Sequence, residues 1–170
     1  LGFEYHKLGH DRKAISMLSQ SLAIALDIKK GLSPVVINDL RFRLAIAYLR
    51  LGEAENCCEK PSAQSCIYPL QGTAVHQKQE GSLQSAQMLV EFLQHEPKES
   101  PRYLGAIWLL NITYMTLGQF PEGVPEQFRL PETVAKSNAS FPRFINIAAK
   151  KGLDTFSLAG GAIAEDFDND

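Results

Sequence analysis

Three aspartates at alternate positions, Asp166, Asp168 and Asp170, close the sequence in EDFDND and are the residues best suited to hold a cation. On a strand, alternate side chains share a face, and three like charges there repel. Around a hard cation the same spacing becomes favourable. Calcium takes about six to eight oxygen ligands, and a D-x-D-x-D loop supplies carboxylates while the residues between them turn the backbone. The glycine and later carboxylate that finish such a loop do not follow Asp170, so the expected site is incomplete. Calcium is expected in a longer chain, with this piece metal-free or weakly occupied; the alternative is an acidic, solvated tail.

The second chemical cluster is CCEKPSAQSC, in which Cys57, Cys58 and Cys66 crowd together. Their spacing is neither C-x-x-C nor a zinc-ligand arrangement. Two readings stand: one local disulfide, Cys57 to Cys66, with Cys58 left over, or three reduced thiols. His6 and His10 are four apart but separated by Gly9 at an expected turn, which makes them surface histidines. His76 can approach the cysteines but lacks the further ligand a metal site requires. No phosphate-cradling G-x-x-x-x-G-K-[ST], G-x-G-x-x-G, H-E-x-x-H, G-x-S-x-G or C-x-x-C-H occurs. The chain is expected to be non-catalytic. The acceptor patterns at Asn111 and Asn138 are read as structural residues.

The elements that must position these groups follow from composition and periodicity. A chain of 170 residues, 45% of them hydrophobic, suffices for one ordinary domain with a buried core. The net charge of -2 gives no electrostatic reason to expect nucleic acid. No apolar run approaches the roughly 20 residues that span a bilayer, and nothing at the start reads as a signal peptide. Charge is unevenly spread: Leu1–Leu51 carries eight Lys/Arg against four Asp/Glu, whereas Asp154–Asp170 carries five acids and no base. The missing initiator Met and the unfinished acidic loop suggest a piece of a longer protein.

Apolar residues recur at helical spacing through the first hundred positions. Tyr5, Leu8, Ile15, Leu18, Leu22 and Leu26 fit two short helices broken near Gly9. Leu40, Leu44, Ala47, Tyr48 and Leu51 mark another apolar face, with Pro34 at the helix start and Gly52 at its end. EGSLQSAQMLVEFLQHEP forms a further helix ended by Pro97. Helices this short are marginal alone and must bury their stripes on neighbours, which favours stacked antiparallel hairpins. Asn56–Gln79 lacks a helical stripe and reads as a long loop interrupting a hairpin. Phe120–Ser140, with prolines at 121, 125 and 131, reads as a linker.

The hairpin turns resemble one another. YHKLGHDRKAI, YLRLGEAENC and YMTLGQFPEG share Tyr-x-x-Leu-Gly, with Ala14, Cys57 and Gly123 five positions after the glycine. This is similar to the tetratricopeptide repeat, although the turn glycines lie farther apart than the roughly 34 residues of an undisturbed array. Downstream, AGGAIAEDFDND resembles the strand and calcium loop of an FG-GAP (VCBS) repeat. FINIAAKKGL is similar to the segment opening propellers of cartilage acidic protein-like proteins, with Asn146 where Asp is usual. Helical repeats leading into such a propeller resemble the front part of bacterial ASPIC/UnbV proteins.

The resemblance implies a mainly α fold of stacked helical hairpins over residues 1–119, with an insertion at 56–79. A Pro-rich linker at 120–140 and the start of a truncated β-propeller at 141–170 follow. It implies a protein-interaction or scaffolding module outside the cytoplasm, periplasmic, cell-surface or secreted. Its partner would be a protein or peptide, favoured to be acidic by Lys7, Arg43 and Arg50. The family's groove positions carry over to Phe42, Ile46, Leu49, Arg50, Trp108, Ile112 and Met115, with core packing the alternative for Trp108 and Met115. Two rivals stand beside it: an accessory domain of a catalytic or natural-product biosynthetic protein, and a rigid stalk for the propeller. A charge-perturbed buried pair near His76 and Cys66 would favour the first; little exposed apolar surface would favour the second.

Overall fold

The computed structural model describes residues 2–27, 32–62, 64–65, 67–135, 145 and 147–154. Five α-helices carry the architecture: α1 (Gly2–Lys7), α2 (Asp11–Asp27), α3 (Pro34–Glu53), α4 (Glu80–His95) and α5 (Pro101–Thr116). The fold is mainly α, with no strand among the described residues. The chain divides into two units, Leu1–Lys136 and Ser137–Asp170.

The Tyr-x-x-Leu-Gly signature has a backbone cause. After α1, Gly9 adopts φ +72°, His10 N–H donates to the Tyr5 carbonyl at 2.9 Å and Gly9 N–H to that of His6 at 3.0 Å. After α5, Gly118 adopts φ +69°, Gln119 N–H donates to Tyr114 and Gly118 N–H to Met115, both at 2.9 Å. Each is a paired C-terminal cap that only a left-handed residue, most cheaply glycine, can close. The middle copy differs: α3 runs through Gly52 to Glu53 and continues as a π-turn, Ala54–Cys58. Gly52 is thus not the expected turn. It lies where α4 crosses, and a Cβ on Gly81 would meet Gly52 N and Tyr48 O, both at 2.6 Å. Cys57 does not seat the next helix; the Gly52–Gly81 pair does so by bringing backbone against backbone, with Ala86 buried farther along α4.

Extensive packing occurs between helices consecutive in the chain. Asn38 near the start of α3 bonds Glu96 just past the end of α4, and Ser82 near the start of α4 bonds Thr116 at the end of α5, so neighbours run antiparallel. Asp39 and Arg102 pair the starts of α3 and α5, 3.0 Å apart, while the Arg43 guanidinium covers the ring of Phe3. The helices α1, α3 and α5 therefore form one row, and α2 and α4 the other. Between the rows lie Leu18 and Leu22, Leu44 and Ala45, Leu89, Phe92 and Leu93, and Ala106 and Leu110. Burying each large side chain contributes about 1.5–3 kcal/mol. The core stripe of α2 is Ala14, Leu18, Leu22 and Ala25, whereas Leu8 and Leu26 are exposed. Leu26 is off that stripe by helix phase, and Leu8 lies in the turn between α1 and α2.

The segment from Phe120 to Leu130 corrects the expected linker. Val124 and Phe128 are buried, and both belong to the core. The fully buried Asn111 donates from Nδ2 to the Phe128 carbonyl at 2.8 Å and accepts from Leu130 N–H at 3.0 Å. Proline stops a helix there, but the chain still folds back and closes the open side of α5. The burial of Asn111 agrees with its structural reading, whereas Asn138 lies outside the described residues.

The described part of the insertion is a loop closed at its base by Asn56. This side chain donates to Lys78 O at 3.0 Å and accepts from Gln77 N–H at 2.8 Å. Farther out, Thr73 Oγ1 donates to Gln64 Oε1 at 2.8 Å. In the second unit, a 3-10 turn spans Ala149–Lys151 and Gly152 has φ +68°. The residues expected to form a propeller strand lie outside the described ones.

Candidate functional site

A cleft of about 310 Å³ opens between α1, α2 and α3 and the start of α5. Phe3, Leu18, Phe42 and Ile46 supply its apolar lining, and His6, Asp39, Arg43 and Arg102 its polar edge. The apolar residues are there because α1 is only 6 residues long with no buried residue; it leaves part of the α2–α3 seam uncovered. Phe3 itself is 42% exposed.

A chain of alternating charges organises the edge. Asp39 accepts from Arg43 Nε at 2.6 Å and from Arg102 Nη1 at 3.0 Å. Arg102 Nε lies 3.3 Å from Glu96 Oε1. Glu96 is buried and is stabilised further by Asn38 Nδ2 at 2.8 Å and by the Ser100 hydroxyl. A buried carboxylate needs such donors, because without them its desolvation is uncompensated. Arg102 is thereby fixed over the ring of Phe42 and that of Phe92. Arg43 spans from Asp39 to the Phe3 ring, 4.6 Å from its centroid. Its one hydrogen bond among the described residues uses Nε, so its terminal amines can meet a ligand's carboxylate.

The sequence-expected groove residues separate on the structure. Phe42 and Ile46 line the cleft. Leu49 and Met115 are buried, at 9% and 1% exposure, and do not line an open groove. Each lies one helical turn after a buried residue, Ala45 or Asn111, and shares its inward face. Arg50 is exposed and bonds Glu53 at 2.9 Å. Trp108 is exposed on α5, but Tyr68 of the insertion stacks on it; Ile112, one turn on, is half-buried. Burial pushes the Tyr68 phenol up, so it stays neutral. Cys66, Asp166, Asp168 and Asp170 lie outside the described residues, so neither the disulfide nor the calcium loop is described. Sequence reasoning missed Phe3, His6, Leu18, Asp39 and Arg102. The i, i+4 pair Asp39 and Arg43 was a readable local signal, but the partner across the cleft was not.

A second polar cluster surrounds His76, which is 2% exposed. Its backbone N–H donates to Thr116 O at 2.7 Å. Its ring reaches Ser82 Oγ from Nδ1 at 2.8 Å and Cys57 Sγ from Nε2 at 3.6 Å. Ser82 Oγ is 2.9 Å from Thr116 Oγ1, and Thr116 Oγ1 donates to Thr113 O at 2.7 Å. Burial lowers the His76 pKa below its ordinary value. Gly52 makes room for the ring: a Cβ there would lie 3.2 Å from Nδ1.

Among the described residues, no group of three or more His, Cys, Asp and Glu is placed to hold a metal ion, and no helix is long and apolar enough to cross a membrane. Comparison with family models, with curated proteins and with solved structures found no match in any of the three.

Proposed function

We propose that the helical unit is a non-catalytic protein-interaction module, tetratricopeptide-like, that holds an acidic peptide segment in the cleft between α1 and α3. The observation that carries this reading is the pairing of an apolar lining, Phe3, Leu18, Phe42 and Ile46, with two guanidinium groups, Arg43 and Arg102, on one edge. Apolar side chains of a partner fill the lining, and its carboxylates meet the arginines. Exposed apolar surface of this kind counts against a rigid stalk. The accessory-domain rival gains less: the His76 shift comes from burial, and among the described residues no charged partner stands beside it.

Fluorescence anisotropy with the full chain and labelled ten-residue peptides of alternating Asp and Leu or Phe tests the reading. Micromolar binding that weakens with salt and falls about tenfold in Arg43→Glu is the expected result, as for a partner held by a charge-assisted contact. Equal binding by the parent and by that variant overturns it.

The extracytoplasmic, calcium-binding propeller downstream belongs to the same proposal and rests on the sequence of the closing segment. Calcium calorimetry on a chain lengthened by one repeat tests it. Heat of binding that disappears in Asp168→Ala is expected, and no heat from the lengthened chain rejects it.

A further inference from the structure

We propose that Cys57, in the reduced protein, is a histidine-assisted thiol that exchanges with small-molecule disulfides, His76 Nε2 accepting its proton. The inference stands apart from the cleft.

The hydrogen bonds themselves set the direction of the proton path. A carbonyl can only accept, so the Thr116 hydroxyl spends its single proton on Thr113 O. At the Ser82–Thr116 contact Ser82 must then be the donor. Having given its proton, Ser82 accepts from His76 at their contact, which places the ring proton on Nδ1. Nε2 keeps its lone pair, and that lone pair faces Cys57 Sγ at 3.6 Å. Nucleophile, base and base-orienting group thus come together in the order that activated thiols use. The ring is buried, whereas Cys57 is half-buried. Cys58, exposed beside it, has no such partner among the described residues and serves as an internal reference.

The step is balanced. The Cys57 sulfur attacks one sulfur of RS–SR, a Cys57–S–SR bond forms, the RS–SR bond breaks, and RS⁻ leaves. The proton passes from Cys57 to His76 Nε2 and then to the leaving thiolate, releasing RSH; the disulfide is the only oxidant. Two features oppose a standing thiolate–imidazolium pair: burial disfavours the charged ring, and Cys57 sits at a helical C-terminus, where negative charge is unfavourable. The assistance therefore acts as sulfur attacks rather than at rest.

The test uses the full chain reduced with dithiothreitol and desalted, which brings all three thiols to one state. Stopped-flow reaction with 4,4′-dithiodipyridine is followed in Cys58→Ser/Cys66→Ser, which keeps Cys57, and in Cys57→Ser/Cys66→Ser, which keeps Cys58. Cys57 is expected to react about tenfold faster than Cys58 at neutral pH, and His76→Asn to remove that advantage. Should His76→Asn fail to fold, the pH profile of the Cys57-only protein decides. A rate nearly flat through the neutral range supports base assistance, because the neutral imidazole takes the proton there. A rate rising tenfold per pH unit, as for a simple thiolate, overturns the proposal, as does a Cys57 that reacts no faster than Cys58.

Discussion

Tyr68 lies flat on Trp108, with ring centroids 5.0 Å apart and planes 21° from parallel, so the loop after α3 is seated on a helix that follows it by thirty residues or more. Trp108 is the only tryptophan in the chain, which makes its emission a direct report on the seating. Tyr68→Ala is expected to shift that emission to the red and to cost about 1 kcal/mol, the value of a stacked aromatic pair. Fluorescence spectra and urea titration check both; an unshifted spectrum would mean the loop holds its place without the stack.

Two glycine replacements are expected to move stability in opposite directions. In Gly81→Ala the new methyl meets Gly52 N and Tyr48 O at 2.6 Å. Backbone cannot yield as a side chain does, so a loss of about 1–3 kcal/mol is expected. In Gly105→Ala, within α5, the methyl meets nothing within 4 Å, and helix propensity predicts a gain of about 0.5–1 kcal/mol. Thermal denaturation of both variants measures the contrast.

Asn111→Ala leaves Phe128 O and Leu130 N–H without the partner they now share. Losing a buried partner costs about 1–3 kcal/mol for each group stranded. The expected result is a destabilised chain with faster amide exchange at Leu130. Unchanged exchange there would show that Phe120–Leu130 is held by Val124 and Phe128 alone.

Acid should weaken the fold through His76. Its folded pKa lies below the ordinary 6.5 because burial opposes charging. Below pH 6.5 the unfolded chain therefore binds more protons than the folded one, and stability falls as pH falls. The contribution is fully present above pH 6.5 and is lost progressively on acidification. Urea midpoints for the parent and for His76→Gln, compared from pH 7.5 downward, test this, and the variant's dependence should be shallower.

How far the sequence could be read depends on whether a signal is local. Tyr-x-x-Leu-Gly marks a helix end at Gly9 and Gly118 because the tyrosine carbonyl and the glycine φ lie within one turn. Gly52 carries the same letters, yet its missing side chain serves the approach of Gly81, a residue beyond the insertion; nothing nearby distinguishes these uses. Phe42 and Ile46 were legible from their repeat positions, and the burial of Met115 follows the core-packing alternative, whereas the burial of Leu49 was not legible, since it faces a neighbour whose placement is a tertiary matter. Prolines told where helix stops after Gly118 but not that Phe128 returns to the core. The relay from Cys57 to Thr113 joins common residue types from separated segments, and no spacing rule links them.

Because each helix leans mainly on the one before and the one after, the helical unit behaves as a short row of coupled elements rather than one indivisible body. Its two ends are unequal. At one end α1 contributes no buried residue; at the other, α5 is clasped by the returning Val124–Leu130 stretch. Opening should begin at the amino-terminal end and travel inward, and that is the end that supplies Phe3 and His6 to the cleft. Occupancy of the cleft would then be felt first as slower fraying of α1, linking recognition to local order without any change elsewhere.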